Sequence, residues 1–254
     1  MPENIVATIQ ARMGSSRLPG KVLKDIYGKP MLLWQIERLK NSRLLDNIII
    51  ATTTSPKDDE IEDFCFKNNI ECFRGSENDV LKRISDLLEN YRIDIHVELH
   101  GDSPLVDYQI VDELIGIFLK NKNDIDFLSN NLKTTYPPGM EFSIYYANVL
   151  YEVNQLIDKD DKLREHVGFN ITRFRNKYKI KSIEASTRHN YPDIYLEVDT
   201  EEDLVMIKKI FEHFIYRKKI YFGIDEIINM LLQNKEIIKI NNKVERRWKT
   251  LRKS

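Results

Sequence analysis

The first 130 residues alternate short apolar runs with amphipathic stretches, and this rhythm constrains the fold more than any other feature of the chain. Residues 4–10 (NIVATIQ) and 47–52 (NIIIAT) are rich in β-branched residues, as strands buried on both faces are. Further short strands are expected at 71–73, 94–99 and 125–128. Between them, apolar spacing predicts a helix opening at Pro30 and others over 58–68, 78–90 and 107–120. Strands alternating with helices in this way predict βαβ units with right-handed crossovers. The expected fold is α/β, with three layers around a mostly parallel, Rossmann-like sheet. Such sheets carry ligand sites at the carboxyl ends of their strands. The loops after Gln10, Thr52 and Leu99 are therefore the places to look for chemistry.

After residue 130 the rhythm changes. Tyr136-Pro137-Pro138-Gly139 signals a turn. The pattern then predicts a strand over 140–146, helices over 147–157 and 162–176, and a strand near 178–184. A buried-type strand over 194–198 and helices over 201–214 and 224–233 follow. The whole, residues 1–254, reads as one domain with an insertion at about 130–190.

Composition narrows the functional classes. There are 39 Lys and Arg against 40 Asp and Glu, a net charge of −1. Two cysteines, Cys65 and Cys72, are too few for a disulfide scaffold or a Cys-rich zinc site. No apolar run approaches the roughly 18 residues that span a bilayer, and no signal-peptide pattern opens the chain. A cytoplasmic protein without a membrane partner is expected. Residues 235–254 carry eight Lys or Arg (Lys235, Lys239, Lys243, Arg246, Arg247, Lys249, Arg252, Lys253) against two acids. Such a tail suits nucleic acid or anionic lipid. It lacks interleaved aromatics or a recognised motif, so a solvated end is expected and no nucleic acid.

The loop after the first strand, Ala11-Arg12-Met13-Gly14-Ser15-Ser16-Arg17-Leu18-Pro19-Gly20-Lys21, holds three cations among glycines and serines. Backbone N–H groups in such a loop cradle phosphate oxygens, and the cations neutralise them. It is neither a Walker A loop nor GxGxxG: five residues separate Gly14 from Gly20, and Val22 follows the lysine. Asp102, in His100-Gly101-Asp102-Ser103-Pro104, falls just past a buried strand. From position alone it is either a Mg²⁺ ligand or a turn-forming helix cap. Asp199, in Glu197-Val198-Asp199-Thr200-Glu201, poses the same choice, with Thr200 an equally good cap. Two strand-end acids facing one cationic loop weigh toward metal.

Six stretches in this order, IQARMGSSRLPGKVL (9–23), GKPML (28–32), FRGSENDVLKR (73–83), GDSPLVD (101–107), REHV (164–167) and VDTEEDL (198–204), resemble the SpsF-type cytidylyltransferases of spore coat polysaccharide biosynthesis. That family is related to the CMP-Kdo and CMP-sialic acid synthetases. The resemblance covers about residues 4–215. It implies a nucleotide-diphospho-sugar-transferase-like fold and Mg²⁺-dependent transfer of CMP from CTP to a sugar acid, with release of pyrophosphate. Ala11, Arg12, Gly14, Ser15, Ser16, Arg17 and Lys21 match the phosphate-binding loop. Asp102 and Asp199 match the metal-binding aspartates, and Arg17, Lys21, Asp102 and Asp199 the catalytic set. Arg74 and Ser76 match a stretch near the nucleotide base. Arg164, Glu165 and His166 match a further motif, with Arg164 and His166 expected on the acceptor side and a structural histidine the alternative reading of His166. His100 and the Pro138–Glu141 stretch depart from the usual pattern, and His100 and Glu141 are expected to line the acceptor pocket. By the same resemblance the 130–190 region implies a homodimer. A relative using GTP, a sugar-phosphate or phosphonate acceptor, or a homologue that binds nucleotide without turnover, fits the same motifs.

Overall fold

The structure, a computed structural model, describes residues 2–251. Its strands are β1 (Ile5–Gln10), β2 (Asp25–Ile26), β3 (Lys29–Pro30), β4 (Asn47–Thr53), β5 (Glu71–Gly75), β6 (Ile95–His100), β7 (Phe127–Ser129), β8 (Ser143–Tyr146) and β9 (Ile180–Ser182). Its helices are α1 (Met31–Leu39), α2 (Asp59–Lys67), α3 (Val80–Asn90), α4 (Tyr108–Lys120), α5 (Ala147–Leu156), α6 (Val167–Thr172), α7 (Glu201–Ile215), α8 (Ile224–Gln233), α9 (Lys235–Ile238) and α10 (Arg247–Leu251). Seven strands form one sheet in the order β5-β4-β1-β6-β8-β7-β9. Only β8 runs against the rest, between β6 and β7. The expected mostly parallel α/β sheet is what forms.

Side-chain alternation along the strands explains the layers. In β1, Ile5, Ala7 and Ile9 face a core built with α1, α4, α7 and α8, while Val6 faces one built with α3, α5 and α6. In β6 the same alternation sends Ile95, Val97 and Leu99 to the first core. On the other face β6 carries two buried polar residues, His96 and Glu98. His96 bonds Thr8 of β1 at 2.7 Å. Glu98 accepts from Gln10 (3.0 Å) and from the Tyr145 hydroxyl (2.9 Å). Buried polar groups need such partners to offset their lost hydration.

Three expectations fail. Ile194, Tyr195, Leu196 and Val198 are buried, but residues 194–198 form no strand. Leu196 N donates to Pro138 O at 2.7 Å and Val198 N to Asp102 O at 2.8 Å, so loops take up the backbone groups that a sheet would have paired. Gly139 permits this: its φ is +102°, and a Cβ there would lie 2.6 Å from the Leu196 carbonyl carbon. The helix expected over 162–176 is instead a 3-10 turn, Lys162–Glu165, followed by α6, with the break at His166. The C-terminal tail, expected to be solvated, packs back on the molecule, and Arg246 is buried. Arg252 and Lys253 lie outside the described residues.

Candidate active site

The carboxyl ends of β1 and β6 open into a cleft of about 400 Å³. The loop after β1 forms one wall. It leaves the sheet at Ala11, whose N–H still bonds Ala51 O at 3.1 Å, and folds back on itself through Ser15 N and Gly20 N, both donating to Met13 O at 2.9 Å. Buried Leu18 and Val22 pin it from below, and Asp58 accepts from Met13 N at 2.7 Å. Gly101 lets the loop after β6 pass close by: its N–H bonds Gln10 O at 2.9 Å, and a Cβ would meet the same oxygen at 3.0 Å.

Lys21 is the centre of the cleft's charge. Its Nζ lies 3.3 Å from Asp102 Oδ2, 2.9 Å from Asp199 Oδ1 and 2.7 Å from Val198 O. Arg17 Nη2 bonds the other Asp199 oxygen at 2.6 Å. The Lys21, Asp102 and Asp199 side chains are 12%, 29% and 19% exposed, shielded from bulk water yet open to a ligand. Burial works against the charges of Lys21 and Asp102. Their neighbours together outweigh it, Asp102 and Asp199 acting on Lys21, and Lys21, His100 and Ser103 on Asp102, so Lys21 is raised and Asp102 lowered from the ordinary values.

Neither acid is spent on capping a helix. Asp107 caps α4, accepting from Gln109 N at 2.9 Å, and Thr200 caps α7 in a capping box with Asp203. Helix capping therefore falls to Asp107 and Thr200, and the Asp102 and Asp199 carboxylates both face the cleft.

Asp199 is held from behind. Fully buried Asp203 accepts from the Asp199 N–H (3.0 Å) and the Thr200 N–H (2.9 Å), and pairs with Arg246 Nη2 at 2.7 Å. Asn241 bonds both Asp203 Oδ1 (2.8 Å) and Tyr195 O (3.0 Å). Trp248 Nε1 donates to Glu197 Oε1 at 2.8 Å, and the Arg246 guanidinium lies 4.2 Å over the Tyr195 ring. Burial, then the nearby Asp102 charge, pushes the Glu197 carboxyl up to about 7. The tail thus clasps the segment that ends in Asp199.

Ala11, Arg12, Gly14, Ser15, Ser16, Arg17, Lys21, His100, Asp102, Asp199, Glu165 and His166 all line this cleft. Four expected residues are not among its lining. Arg74 is tied to Asp59, Glu62 and the Thr53 and Ser55 carbonyls. Ser76 Oγ accepts from Asp79 N. Arg164 is buried, bonded to Asp79, Asn154 and Ile157 O, and joins the 162–165 turn to the start of α3. Glu141 lies beside the 136–140 loop rather than in the cleft.

Gln10, Arg83 and Arg247 are lining residues that sequence reasoning passed over. Arg83 was detectable: it sits on the apolar stripe of α3, with Val80, Leu87 and its neighbour Ile84, where a charge is out of place. Burial, then the Arg12 charge, lowers its pKa, and its Nε has no hydrogen-bond partner among the described residues. A second cavity, about 540 Å³, opens at the amino ends of β4 and β5. It is larger, but no arginine lines it, and it lies at the end of the sheet away from the loop of cations.

Residues 6–240 match the family described as Cytidylyltransferase. The chain belongs to the cytidylyltransferase family. The spore coat polysaccharide biosynthesis protein SpsF of Bacillus subtilis is 32% identical over 235 residues, 91% of this chain and 95% of that one. A solved cytidylyltransferase from Leptospira borgpetersenii, 32% identical, superposes with a TM-score of 0.87 over 93% of this chain and 97% of its own. A 3-deoxy-manno-octulosonate cytidylyltransferase of Geobacter sulfurreducens is 30% identical over 158 residues, 57% of this chain and 62% of its own. This cytidylyltransferase is therefore an enzyme of the nucleotidyl-transfer class, built on the α/β sheet described above. No helix among its described residues is long and apolar enough to cross a membrane.

Proposed function

We propose that this cytidylyltransferase moves CMP from CTP to the hydroxyl of a sugar acid and releases pyrophosphate. The observation that carries the reading is the meeting of Arg17 and Lys21 with Asp102 and Asp199 at the mouth of a glycine-serine loop. The family description and the names of the relatives supply the base and the acceptor class: cytidylyl transfer, and for one of them a 3-deoxy-manno-octulosonate substrate.

The donor set also fits Mg²⁺. Two carboxylates converge on one ammonium, so the protein already holds a positive charge between them. Mg²⁺ characteristically takes one or two carboxylates and completes its shell with water and substrate phosphate. When bound, it would neutralise charge on the phosphate oxygens. Asp102 and Asp199 are the residues that would hold it.

The chain's own groups do the rest. With a triphosphate in the cleft, Arg17 and Lys21 exchange carboxylate partners for phosphate oxygens, while the loop N–H groups orient the chain of phosphates. The acceptor oxygen attacks the α-phosphorus, its P–O bond forms as the bond to the pyrophosphate oxygen breaks, and the acceptor proton passes to water. The cations stabilise the charge that develops on the leaving group. His100 and His166, exposed on the cleft wall, are the acceptor-side contacts in this reading.

A nucleotide panel tests it. Thermal stability is measured with CTP, GTP, UTP and ATP, with and without Mg²⁺. A ligand that binds only the native state adds about 2.7 kcal/mol at a hundredfold excess over its dissociation constant. A CTP-selective, Mg²⁺-dependent rise in melting temperature is expected. A GTP-selective rise moves the enzyme to another base, and no rise with any nucleotide overturns the reading.

A further inference from the structure

The family match ends at residue 240, yet residues 241–249 make specific contacts around the cleft. Arg246 and Trp248 are anchored on Asp203 and Glu197, as described. Between these two anchors, Arg247 has little choice of direction. Its Nη1 donates to Ser16 Oγ, in the middle of the glycine-serine loop, at 3.1 Å, and the residue lines the cleft. Two residues earlier, the Glu245 carbonyl accepts from Arg17 Nη1 at 3.1 Å. The tail thus touches the loop at two of its functional positions.

Charge makes the contact informative. Lys21 and Arg17 already face Asp102 and Asp199, and these acids compensate much of their charge. Among the described residues, no carboxylate pairs with Arg12 or Arg247, both exposed on the cleft wall. An uncompensated guanidinium held over a phosphate-type loop is suited to bind an anion bidentately. Anchoring on either side lowers the entropy lost when it does so.

We propose that the C-terminal segment is part of the nucleotide site and that Arg247 binds the phosphate chain, beside the loop that follows β1. The proposal rests on the CTP reading given above, and it adds a contact from outside the residues that match the family model.

Calorimetric titrations with CTP, inorganic pyrophosphate and cytidine, each with Mg²⁺, test it on the wild type, Arg247→Ala and Arg247→Lys. Arg247 is exposed, so both variants are expected to melt with the wild type. Loss of a charge-assisted contact predicts about tenfold weaker binding of CTP and of pyrophosphate by Arg247→Ala. Cytidine affinity stays the same, and Arg247→Lys recovers part of the loss. Unchanged CTP and pyrophosphate affinity in Arg247→Ala overturns the proposal. So does a loss for cytidine as large as that for CTP, which would mean the tail shapes the loop rather than meeting phosphate. If the wild type binds pyrophosphate but not CTP, the CTP reading fails, and the pyrophosphate comparison still decides the role of Arg247.

Discussion

Asp102 and Asp199 face the same ammonium but are put there by different devices. Asp102 follows β6, a strand with parallel and antiparallel neighbours, and its backbone is aimed by sheet pairing and by Gly101 against Gln10. Asp199 ends a segment with no strand partner, and Asp203, Asn241, Arg246 and Trp248 hold that segment from behind. One half of the site is a product of the fold. The other depends on a few buried polar contacts, one of them with an ion pair from the last tenth of the chain. Polar clasps of this kind are sensitive to single changes, because a buried charge that loses its partner keeps its desolvation cost.

The largest contrast is expected in stability. Arg246→Met leaves the Asp203 carboxylate buried without its cation and should cost about 3–5 kcal/mol in chemical denaturation. Gly101→Ala, the counterpart on the sheet side, forces a Cβ against Gln10 O and should cost about 1–3 kcal/mol. Equal costs would mean that the two halves are held alike.

Activity should erase the contrast. Asp102→Asn and Asp199→Asn are each expected to lower the rate of transfer by about 10²–10³-fold while leaving the fold intact. Steady-state assays of pyrophosphate release check this. A variant that keeps its rate removes that acid from the site.

The pH dependence of stability probes the sheet side. Burial holds His96 down to about 3, against 6.5 for a free imidazole. The unfolded chain therefore binds a proton there that the native chain refuses, and stability falls as pH drops below 6.5. At pH 4.5 the loss is roughly 2–3 kcal/mol. Denaturation of His96→Gln over the same range should show a shallower slope, and an unchanged slope would mean that His96 is not the group responsible. The smallest effect is expected at Trp248→Phe, which removes one hydrogen bond to Glu197 and should cost about 0.5–1.5 kcal/mol.

The same comparison explains what the sequence made legible. The sheet side announces itself through local pattern: NIVATIQ and NIIIAT have the composition of buried strands, and the Arg, Lys, Gly and Ser after Gln10 have the chemistry of a phosphate loop. Ile194–Val198 carries the same apolar signal but is buried against loops, because burial and not pairing is what an apolar run encodes. The tail is illegible for the converse reason. Its charges suggest solvent, and nothing near Arg246 in the chain reveals Asp203, 43 residues away, as its buried partner. Arg74 and Arg164 show the same limit: an arginine in a motif can serve the scaffold, as both do here through their acid and carbonyl partners.

The most direct test of the account is calorimetric titration of CTP, with and without Mg²⁺, into the wild type, Asp102→Asn and Asp199→Asn. If both acids serve one site, Mg²⁺ strengthens CTP binding by the wild type and each substitution removes that gain to the same extent. A gain that survives in either variant would contradict the claim that the sheet-placed and the tail-clasped carboxylates act together.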